Sequence, residues 1–166
     1  MISTADLETH GRVCDGWHRR LRAQILTEIL KVPFRKPLPC TLTVDGEARS
    51  MDDLFLFACQ NNKFTGVAHR IAPRAQLDDG KVDLLYTNTP LRSIGLAMKL
   101  DGRIKAGGSH IHHKIVTYEQ TTVVKLEATK PTRLMIDGDL CGVTPLTVET
   151  VPAALTVFTP NEPHPS

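Results

Sequence analysis

Apolar side chains recur at intervals of three and four residues in the first part of the chain. They form one stripe: Val13, Trp17, Leu21, Ile25, Leu26, Ile29 and Leu30. This spacing places them on one face of an α-helix. Pro33 ends the helix, because proline lacks the backbone N–H that a helix interior uses. The pattern therefore predicts an N-terminal helix over residues 17–31.

Beyond Pro39 the pattern changes to short runs rich in β-branched and aromatic residues, separated by turn residues. Such runs are typical of strands. They predict nine strands, over residues 41–44, 54–60, 64–71, 82–86, 111–118, 122–128, 133–136, 145–148 and 154–158. Asp45-Gly46, which follows the first run, is a dipeptide favoured in hairpin turns.

One short helix interrupts these strands. Thr89-Pro90 supplies a cap and a first-turn proline, and apolar residues continue at helical spacing up to Asp101-Gly102. Closely spaced strands with helices at only two points do not alternate as βαβ units. We therefore expect an α+β fold: a mostly antiparallel, β-sandwich-like single domain over residues 1–166, with an N-terminal helix, one short internal helix and a frayed tail at 161–166.

The composition, with 41% hydrophobic and 23% charged residues, is that of an ordinary globular chain and excludes disordered and fibrous classes. The longest apolar run, residues 54–59, is far below the roughly 18 residues of a membrane-spanning helix. The N-terminus lacks the pattern of a secretory signal, so a cytoplasmic location is expected. Four cysteines lie far apart without a CxxC pair, which favours reduced thiols: Cys14, Cys40, Cys59 and Cys141.

The net formal charge of +2 is too small to indicate nucleic acid as a partner. Basic residues are nevertheless concentrated between Arg12 and Lys36, where seven of them accompany only Asp15 and Glu28. A cluster of this kind attracts phosphates or an anionic membrane surface, and peripheral membrane association is one expectation. The alternative is the solvated face of an amphipathic helix.

The strongest candidate for chemistry is an acidic turn before the strand predicted at 82–86. Asp78, Asp79 and Asp83 lie within six positions around Gly80. Hard cations such as Mg²⁺ prefer oxygen ligands, and a turn lets side-chain and backbone oxygens converge. The alternative is a plain turn, in which aspartate accepts hydrogen bonds from its own nearby backbone.

Two further motifs carry weaker signals. Asp137-Gly138-Asp139 is a second acidic turn, where a carboxylate is a candidate general base or only a hairpin residue. His110 and His112 would share one face if their segment were a strand, which resembles a metal site without a third ligand. A surface or partly buried histidine strand is the favoured interpretation there.

Taken in order, these pieces resemble the C-terminal domain of the lipid kinase family that includes bacterial-type diacylglycerol kinases, sphingosine kinases and ceramide kinases. The resemblance covers about residues 11–160. It is carried by these residues: Asn61, Gly66, Ile71-Ala72-Pro73, Ala75, Asp79-Gly80, Val82-Asp83-Leu84, Ile136-Asp137-Gly138-Asp139 and the block at 152–157, Pro-Ala-Ala-Leu-Thr-Val.

The resemblance implies roles for individual residues. Asp79 is similar to the family's side-chain ligand for a structural Mg²⁺, with the backbone carbonyls of Gln76 and Lys81 as its partners. Asp139 stands where the family usually has a glutamate, proposed as the base that takes the proton of the lipid hydroxyl. The shorter aspartate has less reach. Gly66 is followed by Val67-Ala68, where the family often has several glycines.

The resemblance also implies an organisation. Family members have an N-terminal domain that binds ATP through a GGDGT motif, and no such string occurs among the 166 residues. We therefore expect the lipid-acceptor half of an ATP-dependent kinase for a diacylglycerol-like or sphingoid alcohol, inactive without a nucleotide-binding domain or chain. ATP would be a co-substrate only with that domain, and homodimerisation is a further arrangement to consider. The alternative function is a non-catalytic lipid-binding or interaction module.

Overall fold

The computed structural model describes residues 30–31, 34, 36–65, 69–88, 93–137 and 139–156. Within these ranges one α-helix, α1, spans Ile94–Lys105, and a 3-10 turn follows at Ser109–His112. The strands are β1 (Cys40–Val44), β2 (Glu47–Met51), β3 (Phe57–Gln60), β4 (Val82–Tyr86), β5 (Thr117–Thr121), β6 (Val123–Ala128), β7 (Arg133–Ile136), β8 (Asp139–Val143) and β9 (Leu146–Glu149).

Antiparallel pairing joins the strands into two sheets and a separate hairpin. The larger sheet has the order β2-β1-β6-β9 and the smaller one β3-β4-β5, while β7 pairs with β8. All the pairings described are antiparallel. The expected α+β class with mostly antiparallel, sandwich-like sheets is confirmed, and the predicted N-terminal helix lies almost entirely outside the described residues.

The main core lies between the two sheets. Alternate residues of both sheets form it: Leu42, Val44, Val124 and Leu126 on one side, and Val82, Leu84 and Tyr86 on the other. The middle strand of the smaller sheet, β4, is buried at every position. Its remaining residues, Asp83 and Leu85, therefore lie buried on the face turned away from the main core.

The β1–β2 hairpin confirms the turn predicted at Asp45-Gly46. Both residues have positive φ, 46° and 91°, as a type I′ turn requires. Val44 pairs with Glu47 across the turn. The sequence pattern had not predicted β2, because this strand is mostly polar and forms an edge of its sheet.

Helix α1 differs from its prediction at both ends. Its N-cap is Ser93, whose side chain accepts a hydrogen bond from the N–H of Leu96 at 3.3 Å, and the predicted cap at Thr89-Pro90 lies outside the described residues. The helix also continues past Asp101-Gly102 to Lys105. An ion pair of 2.5 Å between Lys105 and Asp101, four residues apart, supports the last turn.

Several strand predictions need correction. The strand expected at 54–60 begins only at Phe57, and β8 was not predicted. Of the strand expected at 64–71, the described residues show a single bridge between Thr65 and His69. The strand expected at 111–118 is replaced by the 3-10 turn and β5. Residues 154–156 form no strand, and 157–166, including the predicted frayed tail, lie outside the described part.

None of the helical residues described here forms a segment long and apolar enough to cross a bilayer. Most of the predicted basic cluster lies outside the described ranges, which include only Lys31 and Lys36 from it.

One carboxylate links the two turns at the end of the larger sheet. Asp45 Oδ1 accepts hydrogen bonds from the N–H and hydroxyl of Thr122, at 3.0 and 2.9 Å, and from the N–H of Val123 at 3.0 Å. Hydrogen bonding from the Thr121 hydroxyl and from the N–H groups of Val123 and Thr122 lowers the pKa of Asp45 to about 2. The ionised carboxylate therefore fixes the β1–β2 turn against the β5–β6 connection.

We expect Asp45→Ala to lower the free energy of unfolding at neutral pH by about 1 kcal/mol, because its hydrogen bonds are lost. The folded-state pKa lies below the ordinary 3.8, so this contribution is present above pH 4 and lost as the pH falls toward 2. Urea unfolding of wild type and variant across this range measures the effect. Asp52→Ala, at an exposed position, is the control. An equal difference between wild type and Asp45→Ala at neutral pH and near pH 2 would contradict the prediction.

Candidate functional site

The acidic turn lies directly before β4 and combines a local contact with a tertiary one. Asp79 Oδ1 accepts the N–H of Lys81 at 2.9 Å, the short backbone contact typical of an aspartate turn. Asp79 Oδ2 lies 3.3 Å from Gln120 Nε2 on β5. Asp78, the neighbouring carboxylate, is exposed. The turn therefore presents Asp79, but not Asp78, to the smaller sheet.

Two side chains of β5 contact this turn and the strand that follows it. Tyr118 and Gln120 are two positions apart and so lie on one face of the strand. The Tyr118 hydroxyl donates to Asp83 Oδ1, and Gln120 Nε2 lies 3.5 Å from Asp83 Oδ2. Only 1% of the surface of Asp83 is exposed, so its carboxylate depends on these donors. Burial, together with the hydrogen bond to Asp83, raises the pKa of Tyr118 well above its usual range.

The same tyrosine also contacts the segment before the turn. The N–H of Arg74 donates to the Tyr118 hydroxyl at 3.2 Å. The guanidinium carbon of Arg74 lies 5.9 Å from the centroid of the Tyr118 ring, within cation–π range. Arg74 thus brings a positive charge to the edge of the carboxylate pair, although no ion pair joins it to Asp79 or Asp83 in the described part of the chain.

A contact between distant motifs closes the other side of the turn. The Thr150 hydroxyl donates to the carbonyl of Gly80 at 2.9 Å. A Cβ added at Gly80 would lie 3.4 Å from Pro152 Cγ, so the turn rests against the start of the 152–157 block. Two sequence blocks separated by 70 residues therefore meet at the acidic turn.

The donor set at this turn suits a hard cation. It contains the Asp79 carboxylate, with the Asp83 carboxylate beyond Gln120, and Gln76 and Lys81 are exposed residues on either side of Asp79. Oxygen atoms of this kind are the ligands that Mg²⁺ takes, together with water. No group of three or more His, Cys, Asp or Glu side chains suited to a metal occurs in the described ranges. An oxygen site at this turn would therefore combine a carboxylate with main-chain oxygens and water.

Asp139 occupies a different place in the fold. It begins β8, pairs with Ile136 of β7 and is exposed. Ile136, which pairs with Asp139, is exposed on the same face of the hairpin, whereas Met135 and Leu140 pair with each other and are exposed on the opposite face. Among the contacts of the described residues, no hydrogen bond or ion pair joins Asp139 to Asp79. Asp139 lies on the separate β7–β8 hairpin, whereas Asp79 precedes β4 of the smaller sheet.

The two histidines proposed as neighbours on a strand are in a 3-10 turn instead, so that expectation is wrong. His110 is 1% exposed, whereas His112 is exposed. His110 Nε2 lies 3.0 Å from the carbonyl of Ile71, and its Nδ1 is buried without a hydrogen-bond partner. A Cβ at Gly108, whose φ is 88°, would come within 2.8 Å of Pro73, so only glycine fits there. His110 is therefore a packing residue for the 71–73 segment.

A second buried histidine holds the same segment from its other end. His69 Nε2 lies 3.5 Å from Asp101 Oδ1 on α1 and is buried without a hydrogen bond, while Asp101 pairs with Lys105. Burial, with the nearby Lys105 charge, lowers the pKa of His69, and burial lowers that of His110. Helix α1 and the 3-10 turn thus fix the stretch that leads into the acidic turn.

Three side chains that build this site were not predicted from the sequence: Tyr118, Gln120 and Thr150. Polar residues at alternate positions of a strand, as at Tyr118 and Gln120, are a recognisable signal for a shared polar face. That signal needs the strand limits, and β5 was predicted to end at residue 118. No local pattern marks Thr150, because its partner lies 70 residues away.

A comparison with protein families gives one match that covers most of the chain. A family model described as the YegS C-terminal NAD kinase beta sandwich-like domain matches residues 18–159. Two curated diacylglycerol kinases of Mycobacterium tuberculosis, strains CDC 1551 / Oshkosh and ATCC 25618 / H37Rv, are each 29% identical to this chain over 146 residues. The matches cover 87% of this chain and 45% of each relative, so the chain spans less than half of their length.

Solved structures share the fold. A diacylglycerol kinase structure from Bacillus anthracis str. Sterne has a TM-score of 0.52 and 18% identity, over 77% of this chain and 43% of that chain. A second structure from the same organism has a TM-score of 0.58 and 16% identity, over 75% of this chain and 40% of that chain. At such identities the likeness establishes the architecture.

We expect acidification to destabilise the protein partly through its buried histidines. Their folded-state pKa values lie below the ordinary 6.5, so the unfolded chain takes up protons first as the pH falls below 6.5, and stability decreases. His110→Gln keeps an amide donor for the carbonyl of Ile71 and removes one titrating group. At high pH it should cost about 1–3 kcal/mol, as a change at a buried polar residue does.

Urea unfolding between about pH 5 and pH 8 measures both effects. The wild type should lose more stability than His110→Gln over this range, and the slope that remains in the variant includes His69. Replacing the exposed His112 by Gln is the matched control. Parallel profiles for wild type and His110→Gln would contradict the role of His110.

Proposed function

We propose that this chain, which belongs to the family of the YegS C-terminal NAD kinase beta sandwich-like domain, is the lipid-acceptor half of an ATP-dependent lipid kinase. Its relatives among curated proteins are diacylglycerol kinases. The proposed acceptor is the hydroxyl of a diacylglycerol-like or sphingoid alcohol, and the proposed donor is the γ-phosphoryl group of ATP.

The observation that carries this proposal is the assembly of the acidic turn. Asp79 accepts a hydrogen bond from Gln120, and the carbonyl of Gly80 accepts one from Thr150, which lies next to the 152–157 block. Two of the blocks that resemble the lipid kinase family therefore form one structural unit, rather than separate turns on the surface. A plain surface turn would need neither contact.

Nucleotide binding is proposed to come from a partner domain or chain. Phosphoryl transfer requires Mg-nucleotide held in line with the acceptor oxygen, by phosphate-binding backbone and charged groups. No GGDGT string occurs in the 166 residues. In this proposal the chain by itself supplies the acceptor side of the reaction and does not turn over ATP.

Asp79, with the carbonyls of Gln76 and Lys81, is proposed to hold Mg²⁺. A bound Mg²⁺ would supply positive charge next to the Asp79 and Asp83 carboxylates. The side chains themselves have separate tasks: Asp79 contributes the ionised ligand, and Gln120 and Tyr118 fix its surroundings through Asp83.

Asp139 is proposed as the general base. As the lipid hydroxyl oxygen forms its bond to the γ-phosphorus, the bond to ADP breaks and the hydroxyl proton passes to the Asp139 carboxylate. Its exposed position on β8 leaves the carboxylate accessible to an acceptor. The exposed apolar side chain of Ile136 on the same face suits an acceptor that carries acyl or alkyl chains.

The proposal is tested by reconstitution. The full chain is mixed with, or fused behind, the ATP-binding domain of a diacylglycerol kinase relative, and transfer of radiolabelled phosphate from ATP to diacylglycerol or sphingosine in mixed micelles is measured. The combination should be active and the chain alone inactive. Activity of the chain alone would contradict its dependence on a partner. Lipid binding without activity in the combination would favour the non-catalytic lipid-binding module.

In the active combination, Asp139→Asn should leave folding and lipid binding intact while kcat falls by about 100-fold or more, as expected for loss of a general base. Asp139→Glu lengthens the side chain by one methylene and should hold or raise activity. Asp137→Asn, at the adjacent exposed acid of the same turn, is the matched control and should change kcat little. Retention of most activity by Asp139→Asn would remove this residue from the mechanism.

Asp79→Ala should abolish the rise in melting temperature that Mg²⁺ causes, because it removes the proposed charged ligand. An ion that binds only the folded state stabilises it by RT ln(1 + [L]/Kd), about 2.7 kcal/mol at 100 times Kd. Thermal melts with and without MgCl₂ provide the measurement. Asp78→Ala, at the exposed neighbouring carboxylate, should keep the shift. An undiminished shift in Asp79→Ala would place the ion elsewhere.

A further inference from the structure

The acidic turn and the residues on either side of it contact one strand, β5, at three points. Before the turn, the N–H of Arg74 donates to the Tyr118 hydroxyl at 3.2 Å. After it, Asp83 of β4 accepts from that same hydroxyl. Between them, Asp79 is reached by Gln120 Nε2 at 3.3 Å. Two side chains of β5 therefore contact residues before, within and after the turn.

Gln120 is the member of this group that touches both carboxylates. Its amide nitrogen lies 3.3 Å from Asp79 Oδ2 and 3.5 Å from Asp83 Oδ2. A primary amide carries two N–H donors on one nitrogen, so it can serve two acceptors at once. Asp79 directs its other oxygen to the N–H of Lys81. These contacts on both oxygens restrict the orientation of the Asp79 carboxylate.

The Asp83 carboxylate, which Gln120 and Tyr118 contact together, is buried. Asp83 is 1% exposed and lies in β4, whose residues are buried throughout. Its position is therefore set by the sheet and not by the turn. Gln120 is paired with Asp83 in the β4–β5 register and takes its placement from the same ladder. The rigid sheet thus defines where Asp79 Oδ2 is held.

We propose that Gln120 is a positioning residue for a divalent cation at Asp79: through its amide, the buried Asp83 in the sheet fixes the carboxylate that would bind the ion. This inference rests on the Mg²⁺ site of the proposed function. Residues that orient a metal ligand from behind typically alter metal affinity by about 10- to 100-fold when they are removed.

The test compares the melting temperature of the full chain in the absence and presence of MgCl₂, with Mg²⁺ affinity from isothermal titration calorimetry. Gln120→Leu removes the amide and should weaken Mg²⁺ binding by about 10-fold or more, with a smaller shift in melting temperature. Thr147→Leu, at an exposed threonine of β9, is the control for placing an apolar side chain on a strand and should keep the wild-type shift.

Gln120→Glu keeps the side-chain length, replaces the amide by a charge that attracts a cation, and tests whether residue 120 faces the ion if Gln120→Leu does not fold. It puts a third carboxylate beside Asp79 and Asp83, so the ion-free protein should be destabilised by repulsion, and Mg²⁺ should raise its melting temperature by more than in wild type. A purely structural role would lower the melting temperature equally with and without Mg²⁺.

Three results would overturn the inference: no Mg²⁺-dependent shift in the wild type, an unchanged Mg²⁺ affinity in Gln120→Leu, or an unchanged shift in Gln120→Glu. None of these measurements uses lipid or ATP. A failure of lipid phosphorylation with the predicted Mg²⁺ responses intact would therefore remove the kinase proposal and leave the positioning role of Gln120 in place.

Discussion

Burial of a carboxylate in the middle strand of the smaller sheet is the constraint on which the site depends. Strand β4 places Val82, Leu84 and Tyr86 in the main core, and alternation then puts Asp83 on its opposite, equally buried face. A buried carboxylate is costly unless donors surround it. The neighbouring strand supplies them, because Tyr118 and Gln120 of β5 both reach Asp83. The same hydroxyl accepts from the N–H of Arg74, and the same amide donates to Asp79, so satisfying Asp83 also shapes the acidic turn.

The two candidate halves of the site differ in how firmly the fold holds them. The acidic turn is fixed by β5, by Thr150 and, further upstream, by the histidine contacts of α1 and the 3-10 turn. The hairpin that carries Asp139 pairs only β7 with β8, and β8 is exposed throughout. A metal ligand benefits from rigid placement, because coordination distances are narrow. A general base at an exposed position, the role proposed for Asp139, can take its final position when its substrate binds.

The sequence determined elements whose signal is local. Strand β4 and strand β7 have their predicted limits, and β6 is one residue shorter than predicted, because β-branched and aliphatic residues bounded by turn signals leave little choice. The Asp45-Gly46 hairpin followed from turn chemistry. Predictions failed where the signal was weak or ambiguous. Strands β2 and β8 are the second strands of hairpins and form because they pair with β1 and β7. The segment at 111–118, whose apolar residues favoured a strand, begins inside a 3-10 turn instead.

For the site, the sequence by itself supplied the candidate groups: the carboxylates of Asp79 and Asp139, and the order of blocks that resembles a lipid kinase domain. Only the tertiary structure decided which of them meet. Gln120 and Thr150 contact residues of the acidic turn that lie 41 and 70 positions away in the sequence. His110, which was predicted on a strand face, packs beside Ile71 instead. The physical reason is that neighbouring residues can specify a strand or a turn. A hydrogen bond between distant segments depends instead on sheet register and on the burial of groups such as Asp83, and only the folded chain fixes these.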